Sequence, residues 1–353
     1  MTSLYSYFGL LGIHDIDTPG HSLYQLGLID SIKENFHEDK FDFYSYYPEN
    51  VVDNVKIKPY PSTELGNLFT EYQDTLFDDT FVDHGTVIKK IRNQEYHNLY
   101  LKARFRNLST LSKKWRDAKA FELIINEAIV SGYTPDRIII LDTDLSLSDK
   151  FFQKYGDLVT VKIPSIDFPG ISNRFLNRCI DIHTNNPNKT NLDSVFYGNI
   201  DTTNYKSGNS KSDLLPEVFE MVIDHHMSQT NESRFFIISK EKDFVPFNRE
   251  ITYNIPRHDR VGIWDTLEGG RVMLNITKDK YDTQRFIPAR IFEAMIFGMI
   301  PISYKFNWLC PAFSFESLYD LSEIYAYLSE CDNDGLVQAY QYFVNSYINY
   351  VKK

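Results

Sequence analysis

Two carboxylates follow a run of four aliphatic residues in the stretch RIIILDTDLSL, which covers residues 137–147. Asp142 and Asp144 stand one residue apart, so both can lie at the carboxyl end of one buried strand. Such a pair can coordinate Mg²⁺ or Mn²⁺ through its oxygens. Alternatively, Asp144 can accept a proton from a reacting hydroxyl group while Asp142 orients it, or both can be structural. Other parts of the chain are needed to choose among these interpretations.

A second group of candidate residues lies in the stretch RFIPARIFEAMIFGMIPI, residues 285–302. Arg290 and Glu293 stand three apart near the start of a predicted helix, so both project from one face, while Ile291, Phe292 and Ile296 face inward. An arginine can neutralise a diphosphate, and a carboxylate can accept hydrogen bonds from both hydroxyls of a ribose. The alternative is an ordinary surface ion pair.

The loop NYKSGNSKSD, residues 204–213, has the composition of an anion site. Backbone N–H groups of small residues before a helix can approach an anion, and lysines add positive charge. The residues predicted to bind phosphate are Lys206, Ser207, Gly208 and Lys211. Because Gly/Ser loops before helices are common, this loop alone is a weak signal.

Positive charge is concentrated between Lys89 and Lys119, the basic stretch, which holds ten Lys or Arg and two acidic residues. The whole chain carries a net charge of −11, but local fields rather than the total attract a polyanion. A solvated helical face is the alternative interpretation of the stretch. The residues predicted to contact phosphates of an acceptor are Lys102, Arg104, Arg106, Lys113, Lys114 and Arg116.

The elements that position these residues form an alternating α/β pattern. We expect a strand at 137–144, a helix at 113–132 closed by Gly132, and a helix at 287–298. A chain of 353 residues exceeds one hydrophobic core, and the strand–helix alternation restarts after the polar stretch 181–194. The pattern predicts two domains with doubly wound parallel sheets, in which ligands gather at the carboxyl ends of the strands.

Composition excludes several other classes of protein. Three scattered cysteines cannot form a disulfide framework, and no Cys-x-x-Cys pair is present to hold zinc. The sequence has neither a basic N-terminal leader nor an apolar stretch long enough to span a bilayer. It lacks a GxGxxG motif and a P-loop. We therefore expect a soluble intracellular protein without a membrane partner.

The stretch ARIFEAMIFGMIPI resembles the Arg-x-x-Glu donor-binding helix of GT-B glycosyltransferases, specifically that of the bacteriophage DNA β-glucosyltransferases. Three further stretches are similar to the same family in the same order. Its first helix resembles TPGHSLYQLGLIDSI, its helix and strand with the catalytic Asp resemble KKWRDAKAFELIINEAI and RIIILDTDLSL, and its strand and phosphate loop resemble VFYGNI and KSGNSKSD. The resemblance rests on the finding that these matches follow the same order as in the family along most of the chain.

The resemblance implies an α/β fold of the GT-B type, with two Rossmann-like doubly wound parallel-sheet domains that face a cleft. The predicted acceptor (DNA)-binding domain covers residues 1–180, and the predicted nucleotide-sugar domain covers residues 190–334. The resemblance also implies that the C-terminal helix, residues 335–353, packs back on the first domain.

The resemblance assigns roles to the described motifs. Asp144 matches the general base, Arg290 a diphosphate ligand and Glu293 the ribose ligand. Because phosphate loops and Arg290 place the donor in the second half, we favour Asp144 as a base over a metal site formed by Asp142 and Asp144.

Two positions depart from the family pattern. Lys206 falls where the family has one phosphate-binding arginine, and Ser210 falls where it has another, so Lys211 is the expected substitute. His21 and Ser22 occupy the turn in which the family has an acidic residue near the sugar.

The activity that follows from the resemblance is an inverting transfer of a hexose, with glucose from UDP-glucose expected, to a hydroxymethylated pyrimidine base in double-stranded DNA. We expect a monomer that needs a UDP-sugar but no cofactor, in the cytoplasm of a phage-infected host, with Mg²⁺ or Mn²⁺ as the alternative. Two other interpretations are a GT-B enzyme that modifies a glycan or protein, and a non-catalytic DNA-binding protein on a transferase scaffold.

Overall fold

The structure is a computed structural model of the chain. It describes residues 1–7, 19–46, 61–77, 80–103, 114–143, 145, 147–185, 191–198, 211–229, 232–239, 250–256, 259–277 and 279–352. Contacts between Cα atoms divide the chain into two compact units. The first unit comprises Met1–Asp15 and Gln25–Ser172, and the second comprises Ile16–Tyr24 and Asn173–Lys353.

The first unit is built on a parallel sheet with the strand order β3-β2-β1-β4-β5-β6. Its described pairings are all parallel, and its strands are rich in buried aliphatic and aromatic residues, as expected for a sheet covered on both faces. The direction in which strands are added reverses between β1 and β4. The strands are β1 (Thr2–Tyr7), β2 (Lys40–Ser45), β3 (Thr80–Phe81), β4 (Leu99–Ala103), β5 (Ile138–Asp142) and β6 (Thr160–Lys162).

The helices of the first unit connect these strands. They are α1 (Pro19–Phe36), whose residues up to Tyr24 belong to the second unit, α2 (Glu64–Phe77), α3 (His84–Arg92), α4 (Lys114–Val130) and α5 (Asp149–Tyr155). Asp83 caps α3 by accepting a hydrogen bond from the Thr86 backbone N–H, as an N-cap carboxylate does. Gly132, at φ +85°, ends α4 in the left-handed conformation predicted from the sequence. Phe121 and Ile125 of α4 pack against Ile140 of β5 in the core.

The second unit is built on another parallel sheet, with the order β12-β11-β10-β7-β8-β9. All pairings described in this sheet are parallel, and the reversal in strand order lies between β7 and β10. The strands are β7 (Ser194–Tyr197), β8 (Phe235–Ser239), β9 (Thr252–Pro256), β10 (Val272–Asn275), β11 (Ile300–Tyr304) and β12 (Ser314–Phe315).

The helices of the second unit are α6 (Asn173–Asn185), α7 (Lys211–Ser228), α8 (Arg260–Gly269), α9 (Asp279–Thr283), α10 (Ala289–Ile296), α11 (Leu318–Glu330) and α12 (Asn333–Val351). The C-terminal helix α12 contacts α6 and β11, both in this unit. The division therefore differs from the predicted domains: the boundary falls at 172/173, and the C-terminal helix groups with the second unit.

A buried carboxylate joins strands at the amino end of the first sheet. Glu38 accepts hydrogen bonds from the Ser3 hydroxyl (2.6 Å), the Asn98 side-chain amide (2.7 Å) and the Tyr100 hydroxyl (2.9 Å). Ser3 belongs to β1, Tyr100 to β4, and Glu38 precedes β2, so one side chain connects three neighbouring strands. We call Ser3, Glu38, Asn98 and Tyr100 the first amino-edge network.

A comparable cluster lies at the amino end of the second sheet. Ser194, the first residue of β7, accepts a hydrogen bond from the Tyr325 hydroxyl (2.9 Å) and bonds His226 Nε2 (2.9 Å). Its neighbour Asp193 accepts a hydrogen bond at 2.6 Å from the guanidinium of Arg234, which precedes β8. Burial, followed by the neighbouring His225, lowers the pKa of His226 to about 3, so its imidazole is neutral. We call Asp193, Ser194, His226, Arg234 and Tyr325 the second amino-edge network.

Across the described part of the chain, no helix combines the length and the apolar character that a membrane crossing requires. Cys179, Cys310 and Cys331 all have free thiols.

Candidate functional site

The strand orders identify where each sheet can hold a ligand. In an open parallel sheet, a crevice forms at the carboxyl ends of the two strands between which the order reverses. These strands are β1 and β4 in the first unit, and β7 and β10 in the second. Of the predicted site residues that the structure describes, Lys102 lies in β4 and Arg290 lies against Gly198, the residue directly after β7.

Asp142 shapes the turn that follows β5. It is the last residue of the strand, only 4% exposed, and its Oδ2 accepts a hydrogen bond from the Leu147 backbone N–H at 3.1 Å. Leu145, between them, has a φ of +48°, which an ordinary side chain adopts only when its surroundings hold it there. Asp142 therefore bonds back to the backbone of the segment that follows β5.

The choice between a base and a metal site at this turn concerns a residue that is not described. Asp144 lies outside the described residues, so its role remains a prediction. Among the residues that are described, no group of three or more His, Cys, Asp or Glu is arranged to hold a metal ion. That observation does not test the Asp142–Asp144 pair.

Lys102 is buried, whereas a side chain that contacts DNA phosphates is expected to be exposed. It lies in β4 with 2% of its side chain exposed, because this strand is central in the sheet and covered on both faces. Its ammonium group is therefore withdrawn from solvent at the carboxyl edge next to β5, with Ala103 paired to Asp142. This position does not suit the predicted contact with DNA phosphates.

Two other cations of the basic stretch are held by carboxylates. Lys90 Nζ lies 2.6 Å from Asp42 Oδ2, and Arg92 donates to both carboxylate oxygens of Glu127, at 2.7 and 3.2 Å. The remaining predicted acceptor contacts are untested: Arg104, Arg106 and Lys113 lie outside the described residues, and only the backbone of Lys114 and Arg116 is described.

In the second unit, the guanidinium of Arg290 lies against the backbone of Gly198, the residue directly after β7. A Cβ placed on Gly198 would stand 2.8 Å from one guanidinium nitrogen of Arg290 and 2.9 Å from the other. Only a glycine allows this approach, which brings the guanidinium to the carboxyl end of β7, the strand next to the reversal in order. The ring of Phe196 lies beneath, with its centroid 6.0 Å from the guanidinium carbon.

Glu293 is buried one turn further along α10. Its side chain is 3% exposed, which corrects the expectation that it projects away from the inward face of the helix. Residues from Ile291 to Ile296 are all buried, so α10 is enclosed on every side and its periodicity does not reveal an outer face.

Aromatic side chains surround the start of α10. Tyr24 stacks on Phe292 with ring centroids 4.9 Å apart, and Tyr347 meets Phe292 edge-on at 5.5 Å. Burial raises the pKa of the Tyr24 phenol, and the neighbouring Tyr347 and Glu293 raise it further. Spacing did not reveal Tyr24 or Gly198 as site residues, because both meet α10 from distant parts of the chain.

The other end of α10 is fixed by side chains and a glycine. The Tyr340 hydroxyl donates to the Met295 carbonyl at 2.6 Å, and His183 Nε2 bonds the Ile296 carbonyl at 2.7 Å. Gly298 follows at φ +68°, and a Cβ there would stand 2.4 Å from the His183 ring. Carbonyls that a helix end leaves unbonded are thus satisfied, which anchors the helix that carries Arg290 and Glu293.

The predicted phosphate loop is not described. Lys206, Ser207 and Gly208 lie outside the described residues, and so does the side chain of Lys211. The backbone of Lys211 begins α7, so the predicted helix after the loop is confirmed. Phosphate binding by these four residues remains a prediction.

Comparison with known proteins gives a fold-level result. The sequence matches no protein-family model and no curated protein. The structure is similar to T4 phage β-glucosyltransferase at 14% identity, covering 100% of this chain and 97% of the other with a TM-score of 0.46. It is also similar to E. coli heptosyltransferase WaaC (9% identity, 98% and 99% coverage, TM-score 0.34) and to Acinetobacter baumannii MurG (8% identity, 99% and 100% coverage, TM-score 0.34).

At these identities the likeness concerns the fold alone. The predicted fold class, an α/β protein with two doubly wound parallel sheets, is confirmed by the two strand orders of this chain.

Proposed function

We propose that this chain is a glycosyltransferase that binds a nucleotide-sugar at the carboxyl edge of its second sheet. The observation that carries the proposal is the guanidinium of Arg290 on the backbone of Gly198, with Glu293 one turn further along the same helix. A fixed cation beside a glycine backbone, at the point where the strand order reverses, suits a phosphate group.

The two charged residues of α10 would bind different parts of the donor. Arg290 would bind the diphosphate and, when the sugar departs, stabilise the negative charge on the leaving group. Glu293 would accept hydrogen bonds from the ribose hydroxyls, which an enclosed carboxylate can do with little loss of side-chain freedom. Lys206, Ser207, Gly208 and Lys211 are the proposed additional phosphate contacts.

The proposed reaction inverts the anomeric carbon of the donor sugar. The acceptor hydroxyl oxygen forms a bond to that carbon, the bond to the diphosphate oxygen breaks, and Asp144 takes the hydroxyl proton. The diphosphate leaves with the electron pair of the broken bond. Asp142 would hold the turn through its bond to the Leu147 N–H, so that Asp144 meets the acceptor in one orientation.

The proposed acceptor is a hydroxymethylated pyrimidine in double-stranded DNA, with UDP-glucose as the donor. Arg104, Arg106, Lys113, Lys114 and Arg116 are the proposed DNA contacts, and Lys102 is left out because it is buried. A base inside a duplex has to turn out of the stack to reach Asp144. Such a reaction would take place in the cytoplasm, where phage DNA is replicated, and Mg²⁺ or Mn²⁺ would not be required.

A glycan or protein acceptor is the second candidate, because the chain carries a net charge of −11. One experiment separates the two. The chain is incubated with hydroxymethylated DNA and a panel of sugar nucleotides, and the digested nucleosides are examined by mass spectrometry. A hexose added to the modified nucleoside supports the proposal. Hydrolysis of a UDP-sugar with no DNA product would instead favour the other acceptors, and no donor turnover at all would favour a non-catalytic DNA-binding protein.

Replacing Asp144 by Asn tests the base. Asn keeps the size of the side chain but cannot take up the proton, so we expect kcat to fall by about 10² to 10⁴ while UDP-sugar affinity stays nearly constant. Titration calorimetry in the presence and in the absence of Mg²⁺ gives the affinity, and product formation gives kcat. A large loss of donor affinity, together with loss of parent activity in EDTA, would point to a metal held by Asp142 and Asp144.

A further inference from the structure

Asn275 ends β10, one of the two strands at which the second sheet reverses its order. Leu274 is paired with Phe196 of β7, so Asn275 lies beside Tyr197, one residue before Gly198. Neighbouring strands in a sheet are about 4.8 Å apart, which places Asn275 close to the glycine backbone that supports Arg290. Neither helical spacing nor a motif indicated this residue.

Within the described structure, one of the two polar atoms of the Asn275 side-chain amide makes a hydrogen bond. Its Nδ2 donates to the Ser303 hydroxyl at 3.1 Å, and Ser303 is its register partner on β11. Its Oδ1 has no hydrogen-bond partner among the residues that the structure describes, although the side chain is 0% exposed. If the amide is turned over, the oxygen accepts from Ser303 and the nitrogen is left over instead, so one polar atom remains unused in either orientation.

An unused polar atom in a fully buried side chain is uncommon in native proteins and destabilises the fold. An aliphatic residue at the end of β10 would avoid that cost, as Leu274 and Ile302 do elsewhere in these two strands. A polar side chain with one spare atom at the strand end is instead suited to a hydrogen bond with a bound molecule.

The charges of Asn275 and its neighbour Arg290 indicate which part of a nucleotide-sugar Asn275 would contact. The guanidinium of Arg290, at the carboxyl end of β7, would supply a positive charge to the phosphates. Asn275 is neutral and can either donate or accept, which suits the neutral edge of a nucleobase or a hydroxyl group rather than a phosphate.

We propose that Asn275, held by Ser303, is a nucleoside-binding residue of the second unit and hydrogen-bonds a neutral polar group of the bound nucleoside. This inference rests on the proposed function, since it takes the edge between β7 and β10 as the nucleotide site. It adds a contact that selects the nucleoside, where Arg290 acts on the phosphates.

The test is a double variant, Asn275→Leu with Ser303→Ala, in the full chain. Leu has the branching of Asn without polar atoms, and Ala removes the hydroxyl that would otherwise lose its partner. Removing both partners of a buried hydrogen bond in this way is close to neutral for folding. We therefore expect a thermal unfolding midpoint equal to or above that of the parent chain.

Binding is measured by titration calorimetry with UDP, ADP, GDP and CDP, and then with the matching nucleoside and with pyrophosphate. For the tightest nucleoside diphosphate we expect the double variant to bind about fivefold to tenfold more weakly, the effect of one neutral hydrogen bond. The nucleoside should lose affinity by the same factor, and pyrophosphate should lose none. A merely structural role cannot combine weaker nucleoside binding with unchanged or higher stability.

Two outcomes would overturn the inference alone: equal nucleoside diphosphate affinity in the folded double variant, or an equal loss for pyrophosphate. Arg290→Ala is measured beside it. If Arg290→Ala abolishes nucleotide binding and the double variant does not change it, the donor site stands and Asn275 has no part in it. If the parent chain binds no nucleoside diphosphate, the proposed function fails and the inference fails with it.

Discussion

Glu38 is a buried carboxylate whose three described hydrogen bonds all come from neutral donors. Replacing it by Ala leaves the donor groups of Ser3, Asn98 and Tyr100 inside the protein without their acceptor. We expect the free energy of unfolding to fall by about 3 kcal/mol, since each buried donor left unbonded costs about 1 kcal/mol or more. Urea denaturation followed by circular dichroism measures this value.

Glu34→Ala is the matched control, because it removes the same charge from the exposed surface of α1, the helix that ends shortly before Glu38. Its stability should stay within about 0.5 kcal/mol of the parent chain. Equal losses in both variants would show that the first amino-edge network contributes nothing specific.

His226 makes stability depend on pH. Burial, then the proximity of His225, lowers its pKa to about 3 in the folded chain, whereas the unfolded chain binds the proton near the usual pKa of 6.5. The unfolded state therefore takes up more protons as pH falls, and the folded chain loses stability below about pH 6.5. From pH 7.5 to pH 5 this amounts to about 2 kcal/mol.

The measurement is the free energy of unfolding at these two pH values, in the parent chain and in His226→Gln. Gln can still bond Ser194 but does not titrate, so the difference between the two pH values should shrink by most of that amount. An undiminished difference in the variant would assign the pH dependence to other groups.

At the level of single residues, the side chains that could bind a ligand were predictable from the sequence. Their burial and their contacts were not. Arg290 and Glu293 were identified from their spacing, and the predicted helix that holds them is present. The burial of Glu293 and the glycine under Arg290 follow from contacts with β7 and the aromatic cluster, which are remote in sequence. A one-dimensional pattern carries no signal for such contacts.

Among the elements, α10 is the one whose position determines the candidate donor site. Its start is held through the contact between Arg290 and Gly198, and its end through His183 and Tyr340. Gly198→Ala places a methyl group within 3.0 Å of the guanidinium, which has to move. Because charged hydrogen bonds depend on geometry, we expect the affinity for UDP to fall about tenfold, with the fold retained.

Calorimetric titration with UDP measures that loss. Gly269→Ala in α8 is the control, since a Cβ there meets nothing within 4 Å. It should leave the affinity unchanged and stabilise the chain slightly, because Ala favours a helix over Gly. Similar UDP affinity in both variants would remove Gly198 from the site.

The helix and the strand that precede the candidate carboxylates were predictable from the sequence, whereas the extent of α6 was not. The helix that ends at Gly132 and the strand before Asp142 agree with the sequence-based prediction. By contrast, α6 extends to Asn185, into a stretch interpreted as a polar connection. Its buried Phe175, Leu176 and Cys179 hold it against the core, and this packing outweighs the low helix propensity of its last residues.

For the whole molecule, the net negative charge and the positively charged basic stretch favour different acceptors. The experiment that distinguishes a DNA acceptor from a glycan or protein acceptor therefore tests the basic stretch. The triple variant Lys113→Gln, Lys114→Gln, Arg116→Gln should bind DNA more weakly and with a shallower salt dependence. If all three contact phosphates, the slope of log affinity against log salt should change by about 3. Fluorescence anisotropy with labelled duplex DNA at several salt concentrations measures it.

The control removes the same charge elsewhere, at the exposed lysines Lys40, Lys150 and Lys352. If net charge alone governs binding, both triple variants should change alike. If neither variant alters the slope, the basic stretch is a solvated face and the DNA acceptor loses its support.

The two amino-edge networks have a consequence for how this chain could be altered. Glu38 in the first unit and Asp193 with Arg234 in the second tie strands together where those strands begin. The candidate site residues Asp142, Gly198 and Asn275 stand where strands end. A library that varies only the strand ends would leave the tying groups intact. Specificity for a new donor or acceptor could therefore be selected in the laboratory without first adding stability to the scaffold.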